Sequence, residues 1–113
     1  MKIDKSLLSG SSAMLVLRLL NEKDMYGYQI TEELASRSQN VFEMKSGTLY
    51  PLLHTLEQKG LVSAYEVMEG GRSRRYYAIT ENGRRQLAEK QEEWNSFSAA
   101  VNNVMGGALI AEF

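Results

Sequence analysis

The chain has 113 residues, 43% of them hydrophobic and 24% charged, a composition typical of one globular domain and unlike that of a disordered segment. It contains no cysteine, which excludes a disulfide framework and thiolate metal sites. Its formal net charge of −1 at pH 7 argues against binding to nucleic acid through overall charge alone.

The longest apolar run, Ala13 to Leu17, ends at Arg18 and is too short to span a membrane. The first residues lack the apolar core and cleavage site of a signal peptide, so we predict a cytoplasmic protein. A chain of this length forms a modest core that a second subunit would extend, which favours a dimer.

The first predicted helix ends near Asn21 and has an interior, Ala13 to Leu20, that is apolar nearly all round. Candidates for its N-cap are Ser9, Ser11 and Ser12. A helix of this kind is buried on more than one side, as when it packs both in its own domain and against a neighbouring subunit.

Residues 25–36 predict a second helix, with Ile30 and Leu34 on its inner side. Tyr28 near its start can either pack against the domain or reach a phosphate. Residues 37–45 then predict a loop, in which residues 41–44 alternate too weakly for us to predict a strand.

Residues 46–60 predict the helix around which the chain is organised. Its inner face is formed by leucines at three- and four-residue spacing, namely Leu49, Leu52, Leu53 and Leu56. Ser46 or Thr48 can cap its first turn, Pro51 is tolerable only near its start, and Gly60 is a typical C-terminal stop.

The outward face of this helix carries the donors and acceptors Thr48, Tyr50, His54, Thr55, Gln58 and Lys59. Such side chains bond to phosphates and to base edges, which makes the segment a candidate recognition helix. The alternative is an ordinary amphipathic core helix, because the leucine face is common to both interpretations.

The charge is unevenly distributed. Between Lys45 and Arg85 there are seven lysines and arginines and four acidic residues, a net charge of +3, so the remainder carries −4. The positive half is the one that contains the candidate recognition helix.

Residues 61–68 and 72–79 predict two strands joined at Gly70-Gly71 as a hairpin. Alternation places Arg72, Arg74 and Tyr76 on one face and Arg75 and Tyr77 on the other, and Tyr77 and Ile79 are expected to pack against the domain. The three arginines favour contact with phosphates or the minor groove, and a solvated hairpin tip is the alternative.

Thr80 can cap a last helix, from Glu81 to about Met105, that Gly106-Gly107 ends before a short apolar tail. A seam alternating in steps of four and three contains Leu87, Gln91, Trp94, Ser98, Val101 and Met105, with Phe97 and Val104 beside it. We expect a second subunit to cover this seam through a two-fold axis, with Leu15 of the first helix also at the interface.

The order of three helices and a hairpin predicts an α+β, mostly α, winged helix-turn-helix at residues 1–80, followed by a dimerisation helix and tail at residues 81–113. Three segments, Tyr26 to Ile30, Gly47 to Val62 and Gly71 to Arg84, closely resemble the PadR family of bacterial transcriptional regulators. The resemblance covers roughly residues 7–105.

The resemblance implies a DNA-binding transcriptional regulator, which with the dimer expected from the last helix is most simply a homodimeric repressor. Two recognition helices related by two-fold symmetry would read half-sites about one helical turn apart, so we expect a near-palindromic operator. The resemblance also implies that Tyr50 and its neighbours face the major groove and that Lys45 and Ser46 lie near a phosphate. The candidate DNA-binding residues are Tyr28, Lys45, Ser46, Gly47, Thr48, Tyr50, Pro51, His54, Arg72, Arg74 and Arg75.

The single helix after the hairpin is similar to the compact branch that includes multidrug-sensing PadR repressors. Trp94 resembles the tryptophan that, with its symmetry mate, sandwiches flat aromatic ligands between subunits there. Phe97, Ser98, Met14 and Leu15 are the other candidate ligand contacts. The alternative is a tryptophan that only packs in the core or the interface.

The residues favour no enzyme, cofactor or metal site. His54 has no identifiable catalytic partner, and one histidine without cysteine is not a metal site. Gly70, Gly71 and Gly83 lack the spacing of a phosphate-binding loop and are attributed to turns. The alternative function is a winged-helix module that binds another protein through the hairpin and the third helix.

Overall fold

The computed structural model describes residues 3–106; Gly107 and the apolar tail predicted after it lie outside this range. The fold is mostly helical, with a small three-stranded antiparallel sheet in the order β1-β3-β2. The elements are α1 (Lys5–Ser9), α2 (Ser12–Glu22), β1 (Met25–Tyr26), α3 (Gly27–Arg37), α4 (Ser46–Gln58), β2 (Val62–Glu69), β3 (Arg72–Ile79) and α5 (Glu81–Met105).

The first helical region differs from the prediction in being split. A short α1 precedes α2, and Ser11, the N-cap residue of α2, makes no side-chain cap bond to that helix. Its hydroxyl instead donates to the carbonyl oxygens of Leu7 and Leu8, both at 3.3 Å. Ser11 therefore joins α1 to α2.

The start of the second predicted helix is also corrected. Met25 and Tyr26 form the strand β1, which pairs with Tyr77 and Tyr76 of β3, and α3 begins only at Gly27. The Gln29 Oε1 atom accepts the Tyr26 amide at 3.1 Å, which closes the first turn of α3. The prediction of a loop at residues 37–45 is confirmed except at Arg37, which is the last residue of α3.

Helix α4 buries Leu49, Leu53 and Leu56, while Leu52 lies half-buried at the edge of this face. Its N-cap is Lys45 and no side chain caps it, so the prediction of a Ser46 or Thr48 cap is wrong. Since Pro51 is the sixth residue of α4, it lies beyond the first turn and removes one internal hydrogen bond.

The predicted hairpin is confirmed. Gly70 and Gly71 have φ of +54° and +78°, the left-handed pair that a two-residue hairpin turn needs. Tyr77 and Ile79 of β3 are 5% and 8% exposed, so they pack against the domain as predicted.

The hydrophobic core lies between α2, α3, α4, the base of the sheet and the start of α5. It includes Leu17, Met25, Ile30, Leu53 and Val62. Leu87 is also part of it and is 5% exposed, which corrects its predicted place at the subunit interface, because its own protomer covers it.

Helix α5 is bounded as predicted by Thr80, whose hydroxyl accepts the Gly83 amide at 3.0 Å, and by Gly106 with φ of 82°. Its distal half exposes a row of large apolar side chains, namely Trp94, Phe97, Val101, Val104 and Met105. Among the described helices, none is long and apolar enough to cross a membrane.

Candidate nucleic-acid interface

The start of α3, the start of α4 and the β2–β3 hairpin border one open groove of about 500 Å³. Its lining residues are Tyr26, Gly27, Tyr28, Tyr50, Arg72, Ser73, Arg74 and Arg75. Five of the predicted DNA-binding residues, two tyrosines and three arginines, therefore share one concave surface although they come from three separate segments.

A second depression adjoins the N-terminus of α4. Tyr28, Lys45, Ser46 and Tyr50 are among its lining residues. No side chain caps this helix, and its N-cap residue Lys45 and first residues Ser46 and Gly47 are exposed. A helix N-terminus next to a cation is suited to bind a phosphate oxygen.

The remaining predicted residues of α4 lie on its solvent side. The exposed residues there are Gly47, Thr48, Pro51 and His54. Thr55 turns its hydroxyl to its own helix, where it donates to the Pro51 carbonyl at 3.0 Å. The polar and aromatic side chains exposed on this face include Thr48, Tyr50 and His54.

Tyr50 projects from α4 toward the first turn of α3 and remains 48% exposed. Its ring covers Gly27, which is buried even though it has no side chain. Tyr28, one residue further along α3, is 63% exposed. The two tyrosines place aromatic and hydroxyl groups at the junction of both depressions.

A cluster of three tyrosines supports the hairpin. The Tyr76 ring packs edge-on against Tyr26 at 5.4 Å and stacks on Tyr65 at 5.8 Å between centroids. The Arg74 guanidinium lies 4.5 Å from the centroid of Tyr26, within cation–π range. Arg74 therefore reaches the groove with a restricted orientation.

Sequence reasoning missed Tyr26, which lines the groove, and Tyr65, which stacks on Tyr76. Tyr26 reaches the groove because the two-residue strand β1 pairs with β3, and a strand that short has no periodic signal. Tyr65 could have been found, because the predicted hairpin register places it directly opposite Tyr76.

Acidic side chains accept hydrogen bonds from two of these tyrosines. The Tyr65 hydroxyl donates to Asp24 at 2.6 Å, and the Tyr76 hydroxyl donates to Glu69. Each hydrogen bond raises the pKa of its phenol, so both groups stay protonated. The bond to Asp24 joins the hairpin to the α2–β1 connection.

Although Arg75 also borders the groove, its side chain leaves β3 on the face opposite Arg74 and is engaged by two carboxylates. Its guanidinium is 3.1 Å from Glu57 of α4 and 3.2 Å from Glu66 of β2. The Ser73 hydroxyl, and then Arg75, hold the pKa of Glu66 below its usual range. In the described part of the chain Arg72 and Arg74 form no ion pair, so their charges, unlike that of Arg75, are available to a phosphate.

A separate open cavity of about 320 Å³ lies between α1, the start of α2 and α5. It brings Met14, Trp94 and Phe97 together, as predicted for a ligand site, with Lys90 and Glu93 at its edge. Trp94 is 46% exposed and packs against Phe97 at 6.1 Å between centroids. Leu15 and Ser98 do not line this cavity, although both are half-buried nearby on the same two helices.

Residues 16–89, from α2 into α5, match the model of the transcriptional regulator PadR-like family. A transcriptional regulator of Mycobacterium tuberculosis is 33% identical over 81% of this chain and 80% of its own length.

Two solved structures agree with this match. A transcriptional regulator from Clostridium thermocellum superposes with a TM-score of 0.82, 31% identity and coverage of 87% of this chain and 96% of that one. A PadR family regulator from Eggerthella lenta has a TM-score of 0.80, 33% identity and coverage of 88% and 86%. The chain therefore belongs to the PadR-like family of transcriptional regulators.

Proposed function

We propose that the protein is a homodimeric repressor that binds a near-palindromic promoter element. Helix α4 enters the major groove, and the β2–β3 hairpin contacts the adjacent backbone or minor groove. The observation that carries this proposal is the single groove in which the start of α4 meets the arginines of the hairpin.

Helix α4 has the features that a helix needs to recognise bases in the major groove. Its outward face holds Tyr50, Thr48 and His54, whose polar atoms can bond to base edges. Its open N-terminal amides and Lys45 supply phosphate contacts that fix the register of the helix on the duplex.

The hairpin supplies the second contact. Arg72 and Arg74 carry the charge for phosphate or minor-groove binding, and the Tyr26 ring limits how far Arg74 can move. Arg75 contributes less, because a phosphate would have to displace Glu57 or Glu66 from it.

We infer the dimer from the exposed apolar face of α5. A row of apolar side chains on its distal half, Trp94, Phe97, Val101, Val104 and Met105, is exposed in the protomer. Pairing two such helices about a two-fold axis buries this row and sets two copies of α4 to read symmetric half-sites.

The first test is a mobility-shift titration against the protein's own promoter region and against unrelated DNA. We expect preference for the promoter fragment. Lys45, Arg72 and Arg74 from two subunits give six phosphate contacts, so affinity should fall about 1,000-fold between about 50 and about 200 mM salt.

Equal binding to both DNAs would contradict sequence-specific regulation of this promoter. Binding without any salt dependence would contradict the phosphate contacts. An apolar interface with a protein partner, by contrast, is insensitive to salt and independent of DNA.

We further propose that a flat aromatic ligand at Trp94 releases the operator. The support is a half-exposed tryptophan in an open, largely apolar cavity that lies on the proposed dimer face. A ligand that prefers a dimer with a different spacing of the α4 helices weakens DNA binding by the same factor by which DNA weakens ligand binding.

Trp94→Ala should weaken binding of planar aromatic dyes about tenfold or more, since it removes a stacking surface on each subunit. Trp94→Phe keeps an aromatic face and should lose less. Dye anisotropy measures the affinity, and size-exclusion chromatography reports the oligomeric state. Unaltered dye affinity would remove the ligand proposal, and conversion to monomers would assign Trp94 a structural role.

A further inference from the structure

We propose that Gly27 determines DNA-binding specificity without touching DNA, because the absence of a side chain at residue 27 leaves the space that the Tyr50 ring occupies. The inference rests on the proposed function, in which Tyr50 faces the major groove. It makes Gly27 a positioning residue of the recognition surface.

The evidence is the space around the Gly27 α-carbon. A Cβ atom built there would overlap the Tyr50 hydroxyl, lie 2.8 Å from the Cζ atom and lie 3.1 Å from the Cε1 atom. All three nearest atoms thus belong to the Tyr50 side chain. A real Cβ never sits so close to an aromatic carbon, so any side chain at residue 27 displaces the ring.

The usual conformational reason for a glycine does not apply at this position. Gly27 is the first residue of α3 and does not have the positive φ found at Gly60, Gly70, Gly71 and Gly106. An alanine would fit the backbone and is the better helix former. The close approach of Tyr50 is therefore the feature that requires a glycine here.

The effect of a substitution at Gly27 depends on how easily the Tyr50 ring, which the new side chain would meet, can move. The ring is the far end of a side chain that is 48% exposed, so it can rotate away without moving the backbone of α3 or α4. Folding stability should therefore be kept, while the ring loses the position that it occupies beside the groove. A recognition side chain needs a fixed position to discriminate between bases.

The test is a cycle of Gly27→Ala, Tyr50→Ala and the double variant. Each is titrated with operator and with unrelated DNA at one salt concentration. We expect Gly27→Ala to lower operator affinity about tenfold, the size of one base contact, with little change on unrelated DNA and an unchanged or higher melting temperature. The double variant should bind no worse than Tyr50→Ala alone.

The outcomes separate this inference from the proposed function. Wild-type operator affinity in Gly27→Ala, with a clear loss in Tyr50→Ala, would overturn the role of Gly27 alone. Equal losses from Gly27→Ala in the presence and absence of the Tyr50 ring would also overturn it, since the effect would not act through that ring. Wild-type affinity in Tyr50→Ala would overturn the groove assignment, and this inference with it.

Discussion

Val101→Asp is expected to convert the proposed dimer to monomers and to lower operator affinity at least about 100-fold. Val101 lies on the exposed apolar row of α5, and a two-fold axis there would bring two aspartates into one apolar interface. A monomer also loses the gain from binding two half-sites with one molecule, a factor of about 100 or more.

The protomer should survive this change. Val101 is 40% exposed and is outside the hydrophobic core, which takes only Leu87 from the buried side chains of α5. Unchanged far-UV circular dichroism and a smaller mass by light scattering would therefore be seen together. Loss of helix content in the variant would instead show that α5 is not fully helical in the monomer.

The matched control is Asn103→Asp. It introduces the same charge two residues away, on the opposite side of α5 from Trp94, at an exposed position. This variant should remain a dimer with wild-type operator affinity. Dissociation of both variants, or of neither, would contradict an interface built on the row that contains Val101.

Patterns confined to one element predicted much of the fold. The leucines of α4 at helical spacing, the alternation that buries Tyr77 and Ile79, and the Gly70-Gly71 turn each depend on neighbours a few residues away. The start of α5 at Thr80 was found for the same reason, because a cap is a local hydrogen bond.

What the sequence did not predict depends on contacts between distant residues. Met25 and Tyr26 form a strand because β3 lies beside them, some fifty residues later in the chain. Arg75 is engaged by Glu57, which only the packing of the hairpin on α4 brings near. Leu87 fitted the α5 seam but is buried by its own protomer, because the seam continues into the domain core.

In the candidate site, too, local patterns were predictable and contacts between distant elements were not. Residue types and charge made Tyr50, Arg72 and Arg74 candidates, and local alternation placed Arg74 and Arg75 on opposite faces, as the structure has them. The support that Tyr26 gives to Arg74, and the space that Gly27 leaves for Tyr50, were not predictable, since both join elements that no periodicity connects.

Gly83→Ala is expected to lower the free energy of unfolding by about 3 kcal/mol. A Cβ at this position in the first turn of α5 would overlap the Leu61 carbonyl oxygen and lie 2.6 Å from the Cγ1 atom of Ile79. The new methyl group would also press on the Thr80 cap, because the Gly83 amide is its donor.

The Leu61 carbonyl cannot easily move away. The Leu61 amide donates to the Leu56 carbonyl at 2.9 Å, which closes the end of α4 beside Gly60 with its φ of 73°. The Leu61 carbonyl itself accepts the Thr80 amide at 3.0 Å. The new methyl group would therefore separate α5 from the end of α4, a cost that rotation of a side chain cannot relieve.

Gly47→Ala is the matched control, since it makes the same change in the first turn of α4 with no atom within 4 Å of the new Cβ. Its stability should be unchanged or slightly higher, because alanine is the better helix former. Urea denaturation at one protein concentration measures both variants, which keeps dimerisation from distorting the comparison. If Gly83→Ala unfolds at the wild-type midpoint, the junction of α4 and α5 can yield, and the orientation of α4 relative to α5 would be adjustable.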